Sequence, residues 1–185
     1  MSNSLTIQEL IIACKKGDET AYLELVQRYQ DRIFWIAYNL VRNREDSQDI
    51  VQESFIRIYK NLYRFQLEKN FETWLYRIVY NLSIDLLRKR KIQRKQSLDE
   101  VPDIPLNKPS HFHIEEKEST RQIYESLDKL PEKYRQILIL KDLDGLSSKK
   151  ISEILGYNHA TIRWYLHIAR KMFKKQWQRI NPEEK

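Results

Sequence analysis

One cysteine, three glycines and five prolines among 185 residues are the scarcest features of this chain. The lone thiol, Cys14, excludes a disulfide framework and any multi-cysteine metal centre. With glycine only at Gly17, Gly145 and Gly156, neither G-x-G-x-x-G nor G-x-x-x-x-G-K can be written. The phosphate-cradling loops of dinucleotide and triphosphate binders are therefore absent. No apolar run reaches the roughly 18–20 residues that span a bilayer, and the first residues form no signal peptide. A cytoplasmic protein with no membrane insertion of its own is expected. Three of the five prolines, Pro102, Pro105 and Pro109, fall in one short stretch. Outside it, apolar residues recur at helical spacing, and the expected fold class is all-α.

What the chain has is charge, unevenly spread. Lys and Arg number 33 against 26 Asp and Glu, a formal net charge of +7. Residues 1–95 carry 17 basic and 12 acidic groups, residues 96–120 carry 2 and 6, and residues 121–185 carry 14 and 8. Two basic lobes thus flank an acidic, proline-containing spacer, which reads as a flexible linker between two small helical domains: 1–95, 96–118 and 119–185. A basic lobe at each end suits two contacts with one polyanion, most economically nucleic acid; an ordinary basic protein is the plain alternative.

In the first lobe, Leu5, Ile7, Leu10, Ile11 and Cys14 mark one helix, and Gly17-Asp18 breaks and re-caps the chain. Tyr22, Leu25, Val26, Tyr29, Ile33, Ile36, Ala37 and Leu40 form the stripe of a second. A third opens on Glu45-Asp46, acidic residues that suit the positive end of a helix dipole. Its Ile50, Val51, Phe55, Ile58, Tyr59 and Leu62 are expected to face inward, with Asp46, Asp49, Gln52, Glu53 and Lys60 opposite. An acidic face on a basic lobe repels DNA and suits a basic protein surface, unless it is merely solvated. After a loop over residues 65–70, a long helix is expected from residue 71 to about 95. It begins aromatic and ends cationic: six of residues 88–95 are basic. Aromatics stack on unpaired bases while arginines and lysines track phosphates, the chemistry for holding melted DNA. Trp74 and Leu75 are expected in the core, with Tyr76, Arg77, Tyr80 and Asn81 exposed and Arg88 and Lys89 in the cationic end.

In the last lobe, Leu130-Pro131 starts a helix, with Tyr134, Ile137, Leu138 and Leu140 inward and Asp144-Gly145 closing it. Ser147 or Ser148 caps a short helix over residues 149–155, Gly156-Tyr157-Asn158 turns the chain, and a longer helix follows from His159. That order is the helix-turn-helix pattern. Ile162, Leu166, Ala169 and Phe173 recur at spacings of four, three and four, so they face the core. Thr161, Arg163, Trp164, His167, Arg170, Lys171 and Lys174 are left for solvent or a DNA groove. His111-x-His113 has no cysteine partner, Cys14 sits on an apolar face, and Glu115-Glu116 implies no cleft. No metal, cofactor or catalytic constellation is expected.

Two segments resemble one family, the extracytoplasmic-function sigma factors of bacteria. The first is Asp49-Ile50-Val51-Gln52-Glu53-Ser54-Phe55-Ile56-Arg57-Ile58-Tyr59 with Phe71-Glu72-Thr73-Trp74-Leu75-Tyr76-Arg77-Ile78 and Asn81. The second is Leu130-Pro131-Glu132-Lys133-Tyr134-Arg135, Gly145-Leu146-Ser147, Ile151, Ile154-Leu155-Gly156, Thr161-Ile162-Arg163 and Ala169-Arg170. The resemblance implies a region 2 domain that docks on the β′ clamp helices of core RNA polymerase through Asp49, Gln52 and Glu53. It implies a loop, with Phe65, Gln66, Lys69 and Asn70, that captures a base flipped from the −10 element, and Ile78 and Asn81 lining that site. It implies a region 4 domain that meets the β flap and reads the −35 duplex, a spacer threading polymerase, and an anti-sigma partner. A sigma factor of this kind catalyses nothing itself. Trp164, Tyr165 and Ile168 depart from the family's small and arginine residues, and Lys149-Lys150 from its acidic stretch. Apolar contact of Trp164 with thymine methyls or sugar edges, and phosphate contacts by the lysines, are expected in exchange. A stand-alone helix-turn-helix regulator is the alternative function, but it needs neither the acidic face nor the aromatic, cationic helix.

Overall fold

The computed structural model describes residues 5–97 and 118–182. The chain divides into two compact units, Met1–Leu106 and Asn107–Lys185, and every regular element among the described residues is helical. The spacer expected over residues 96–118, with its prolines, His111 and His113, lies almost wholly outside the described residues.

The first unit contains α1 (Ile7–Lys15), α2 (Glu19–Val41), α3 (Arg44–Asn61), a 3-10 turn (Leu62–Arg64) and α4 (Phe71–Ser97). Short polar side chains start the helices by accepting from otherwise orphaned N–H groups. Thr6 and Glu9 form a reciprocal capping box on α1. Asp18 accepts from Thr20 and Ala21 on α2, bonds that hold its carboxyl below the usual carboxylate range. Asn43 caps α3 through Asp46 N–H at 3.0 Å, and Asn70 Oδ1 takes the Thr73 N–H at 2.9 Å in the first turn of α4.

Helix α2 packs against α1, α3 and α4. Leu25, Ile33, Ile36 and Ala37 of α2 are fully buried with Ile58 of α3 and Leu75 and Val79 of α4. Three serines lie within this core and carry no hydrophobic signal. The hydroxyls of Ser47, Ser54 and Ser83 donate to the carbonyls of Asn43, Ile50 and Val79, one turn back. Self-satisfied in this way, a small polar residue is buried without an orphan group. The Tyr22 hydroxyl donates to the Phe55 carbonyl at 2.7 Å and ties α2 to α3. Burial pushes that phenol up to about 12, which keeps it protonated and donating. Tyr59, expected inward, is instead 62% exposed. The inner stripe of α3 runs through Ile50, Ser54, Phe55 and Ile58, which turns Tyr59 off the core.

The second unit contains α5 (Glu118–Asp128), α6 (Glu132–Leu138), a π-helical turn (Ile139–Leu143), α7 (Ser148–Leu155) and α8 (His159–Ile180). Helices α5, α6 and α7 all pack on α8. Helix α5 was not expected, although Ile123 and Leu127 stand at helical spacing, with Ser126 and Leu127 buried. The helix expected to close at Asp144-Gly145 does end there, but its last turn is π-helical: the Asp144 N–H donates to the Ile139 carbonyl, five residues back, at 2.9 Å. Phe173, expected in the core, is half-buried and stacks on Trp177 at 6.1 Å.

Ser147 accepts from Lys150 N–H at 3.1 Å to start α7. Gly156 ends it at φ 74°, a left-handed conformation that a side chain resists. Asn158 then accepts from Thr161 N–H at 2.7 Å to start α8. Asn158→Ala is expected to destabilise the chain by about 1 kcal/mol and Asn158→Gly by a few tenths, read by urea unfolding followed by circular dichroism.

Candidate nucleic-acid interface

In the first unit, two helices present working surfaces. On α3, Asp49 and Gln52 are exposed and Glu53 is half-exposed, all opposite the buried stripe. The Glu53 carboxylate is shared with Arg57 at 2.7 Å. Asp46, expected on the same face, turns instead to Arg90 of α4 at 2.5 Å. Exposed Ile56, Tyr59 and Tyr63 continue the Asp49 and Gln52 face. Sequence reasoning missed Ile56 and Tyr63 and placed Tyr59 inside. The offsets from Gln52, four and seven residues to Ile56 and Tyr59, were the available signal.

On α4, Arg77, Asn81 and Arg88 lie on one exposed stripe with Asp85 between them. Lys89 is exposed next to it, while Ile78 and Tyr80 are half-buried at its border. Tyr76 corrects the expectation of exposure: it is 5% exposed, because its position falls on the side of α4 that meets the core. Phe65 is likewise 7% exposed. Its ring stacks on Trp74 at 5.0 Å and meets Phe71 edge-on at 5.7 Å, and Lys15 Nζ donates to its carbonyl at 2.5 Å. Aromatic burial thus anchors the loop at Phe65 and leaves Gln66, Lys69 and Asn70 on its exposed part. The Asn70 side-chain oxygen is engaged at the start of α4, so its amide NH2 is the group turned to other work.

In the second unit, α8 exposes Arg163, Trp164, His167, Arg170, Lys171 and Lys174, with Thr161 half-buried at its start. Most of them line an open cleft of about 420 Å³ that also takes in Lys141 and Ser148. Lys141 was not expected there; its Nζ donates to the Leu146 carbonyl at 3.2 Å. Arg170 is paired in a fork with Asp142, at 2.6 Å and 3.1 Å. That hydrogen bonding raises the guanidinium above the ordinary arginine value. Arg170 thereby ties α8 to the π turn, and Arg163, Lys171 and Lys174 stand exposed along the same cleft. Lys149 is exposed on the first turn of α7 and Lys150 is half-buried.

Residues 25–92 match the family described as Sigma-70 region 2, and residues 120–173 match Sigma-70, region 4. The chain is 34% identical over 181 residues to the ECF RNA polymerase sigma factor SigW of Bacillus subtilis, covering 93% of this chain and 97% of that one. This chain belongs to the ECF RNA polymerase sigma factors. It is also 31% identical over 188 residues to the ECF RNA polymerase sigma-E factor of Haemophilus influenzae, covering 96% and 98%. The sigma factor RpoE from Bartonella quintana, solved with the anti-sigma factor NepR, shares the fold. The TM-score is 0.63 at 20% identity, over 87% of this chain and 97% of that one. As an alternative sigma factor, the chain directs transcription initiation; sigma factors are initiation factors rather than enzymes. Among the described residues, no helix of this sigma factor is long and apolar enough to cross a membrane.

The Asp46–Arg90 pair ties the start of α3 to the cationic part of α4 and engages the Arg90 guanidinium. Both side chains are partly shielded, so the pair is worth more than an open surface bridge. A double-mutant cycle with Asp46→Asn and Arg90→Gln is expected to return a coupling of about 1 kcal/mol in unfolding free energy. The exchange Asp46→Arg with Arg90→Asp should recover part of it.

Proposed function

We propose that the sigma factor divides its work among three surfaces. The α3 stripe of Asp49, Gln52 and Glu53, extended by Ile56, Tyr59 and Tyr63, docks on a basic helical surface of core RNA polymerase, the β′ clamp helices. Gln66, Lys69 and Asn70 of the loop, with Arg77, Ile78, Tyr80, Asn81, Arg88 and Lys89 of α4, hold the unpaired strand of the −10 element. Tyr76 and Phe65 shape that surface from inside rather than touching DNA. Helix α8 enters the major groove of the −35 duplex, Thr161 and Arg163 nearest the base edges and Lys171 and Lys174 on phosphate, while the second unit meets the β flap. Residues 1–95 and 119–185 are the two functional domains and 96–118 the connection. The chain catalyses no reaction itself and acts in the cytoplasm. A partner that covers these surfaces, an anti-sigma protein, holds it inactive; the complex of the Bartonella quintana relative with NepR supports this.

One observation carries the reading: one unit bears both an acidic face on α3 and a basic face on α4. An acidic helix repels phosphate and attracts a basic protein, whereas a stand-alone DNA regulator has no use for it.

The paired reversal Asp49→Lys with Glu53→Lys is expected to weaken association with core polymerase by on the order of ten-fold or more. Affinity of the same full chain for −35 duplex should stay unchanged in the same titration; equal loss of both contradicts the assignment. Lys171→Ala is expected to lower the slope of log K against log salt for duplex binding by about 0.9, one phosphate contact.

A further inference from the structure

Trp164 is 57% exposed on the second turn of α8. It does not belong to the core, which takes Ile162, Leu166 and Ala169 from this helix. It lies three and seven residues before His167 and Lys171, so it shares their stripe beside the cationic cleft. Its ring centroid is 5.2 Å from that of Tyr165, and Tyr165 is wedged. Tyr134 of α6 meets it edge-on at 5.8 Å, and Tyr157 of the turn meets it edge-on at 5.5 Å. The Lys133 ammonium sits 4.0 Å over its centroid. Edge-to-face pairs and a cation on the ring face hold an aromatic in one orientation.

An indole fixed on the groove-entering face of a recognition helix has narrow chemistry. It carries no charge for phosphate and a single N–H donor, and most of its area is apolar. Along the major-groove edges of the four base pairs, the one apolar group is the C5-methyl of thymine. We propose that Trp164 is a specificity residue that reads the C5-methyl of a thymine in the duplex element, with Tyr165 as its positioning residue. The inference rests on the assignment of α8 to that duplex.

The test uses the full chain with core polymerase. A duplex element is selected from a randomised promoter library, and each thymine in it is then replaced by deoxyuracil, which removes the methyl and nothing else. Wild type should lose about four-fold in affinity at one position or two, the worth of one buried methyl. Trp164→Ala should bind thymine and uracil versions of that position alike. Tyr165→Phe, which keeps the ring, should retain the discrimination, and Tyr165→Ala should drive it towards one. A merely structural role of Tyr165 would change affinity and leave the thymine-to-uracil ratio where it was. The inference is overturned if wild type is indifferent at every thymine, if the selected element contains none, or if Trp164→Ala keeps the wild-type ratio. Failure to select any element overturns the duplex assignment as well, and the two failures are told apart by whether a specific complex forms.

Discussion

A helix buries one face, and the face it buries decides where the other points. That constraint acts twice in this chain. Burial of Leu75 and Val79 on α4 turns Arg77, Asn81 and Arg88 outward, and burial of Ile162, Leu166 and Ala169 on α8 turns out Arg163, Trp164, His167 and Lys171. The apolar contacts carry the stability, at roughly 25 cal/mol per Å² removed from water. The opposed polar stripes are the surfaces proposed for DNA. Each exposed stripe is therefore as well placed as the core beneath it, and a core substitution on either helix would move the stripe proposed for DNA without altering any of its residues.

Ion pairs refine this placement by removing cations from use. Arg90 is held by Asp46 and Arg170 by Asp142; each joins a basic helix to a neighbouring segment. Charge counted along the sequence overstates what the surfaces present. The reverse holds for Lys141, which joins the cleft beside α8 from the π turn. Electrostatic steering by the two units then depends on the cations left exposed, chiefly on α4 and α8.

Much of this was legible from periodicity and caps. Four helices of the first unit, the helix-turn-helix of the second, the cap Asp18 and the choice of Ser147 or Ser148 as the next all follow from local rules that act within a few residues. What was not legible depended on neighbours distant in sequence. Tyr76 and Phe65 read as available aromatics, yet packing with Phe71, Trp74 and the α2 core buries them. Tyr59 read as apolar and inward, yet serine at positions 47 and 54 already fills the inner stripe of α3. The π turn is one residue wider than an α turn, and nothing in the apolar spacing of residues 137–140 marks it. Helix α5 was legible in the spacing of Ile123, Leu127 and Leu130 and was missed beside the charged spacer. For the working residues, Arg77, Asn81, Arg88, Arg163 and Lys171 stand exposed as expected, whereas Arg170 needed the position of Asp142.

One chain, on the proposed division of work, pairs a polymerase-docking helix with two separate DNA-reading surfaces. The most direct measurement mixes the full chain with core RNA polymerase on a randomised promoter library and maps transcript starts. Initiation is expected from a discrete set of templates enriched in two sequence blocks at a fixed separation, absent with core polymerase alone. Starts that match those of core polymerase alone, or no stable association with it, would overturn that division of work.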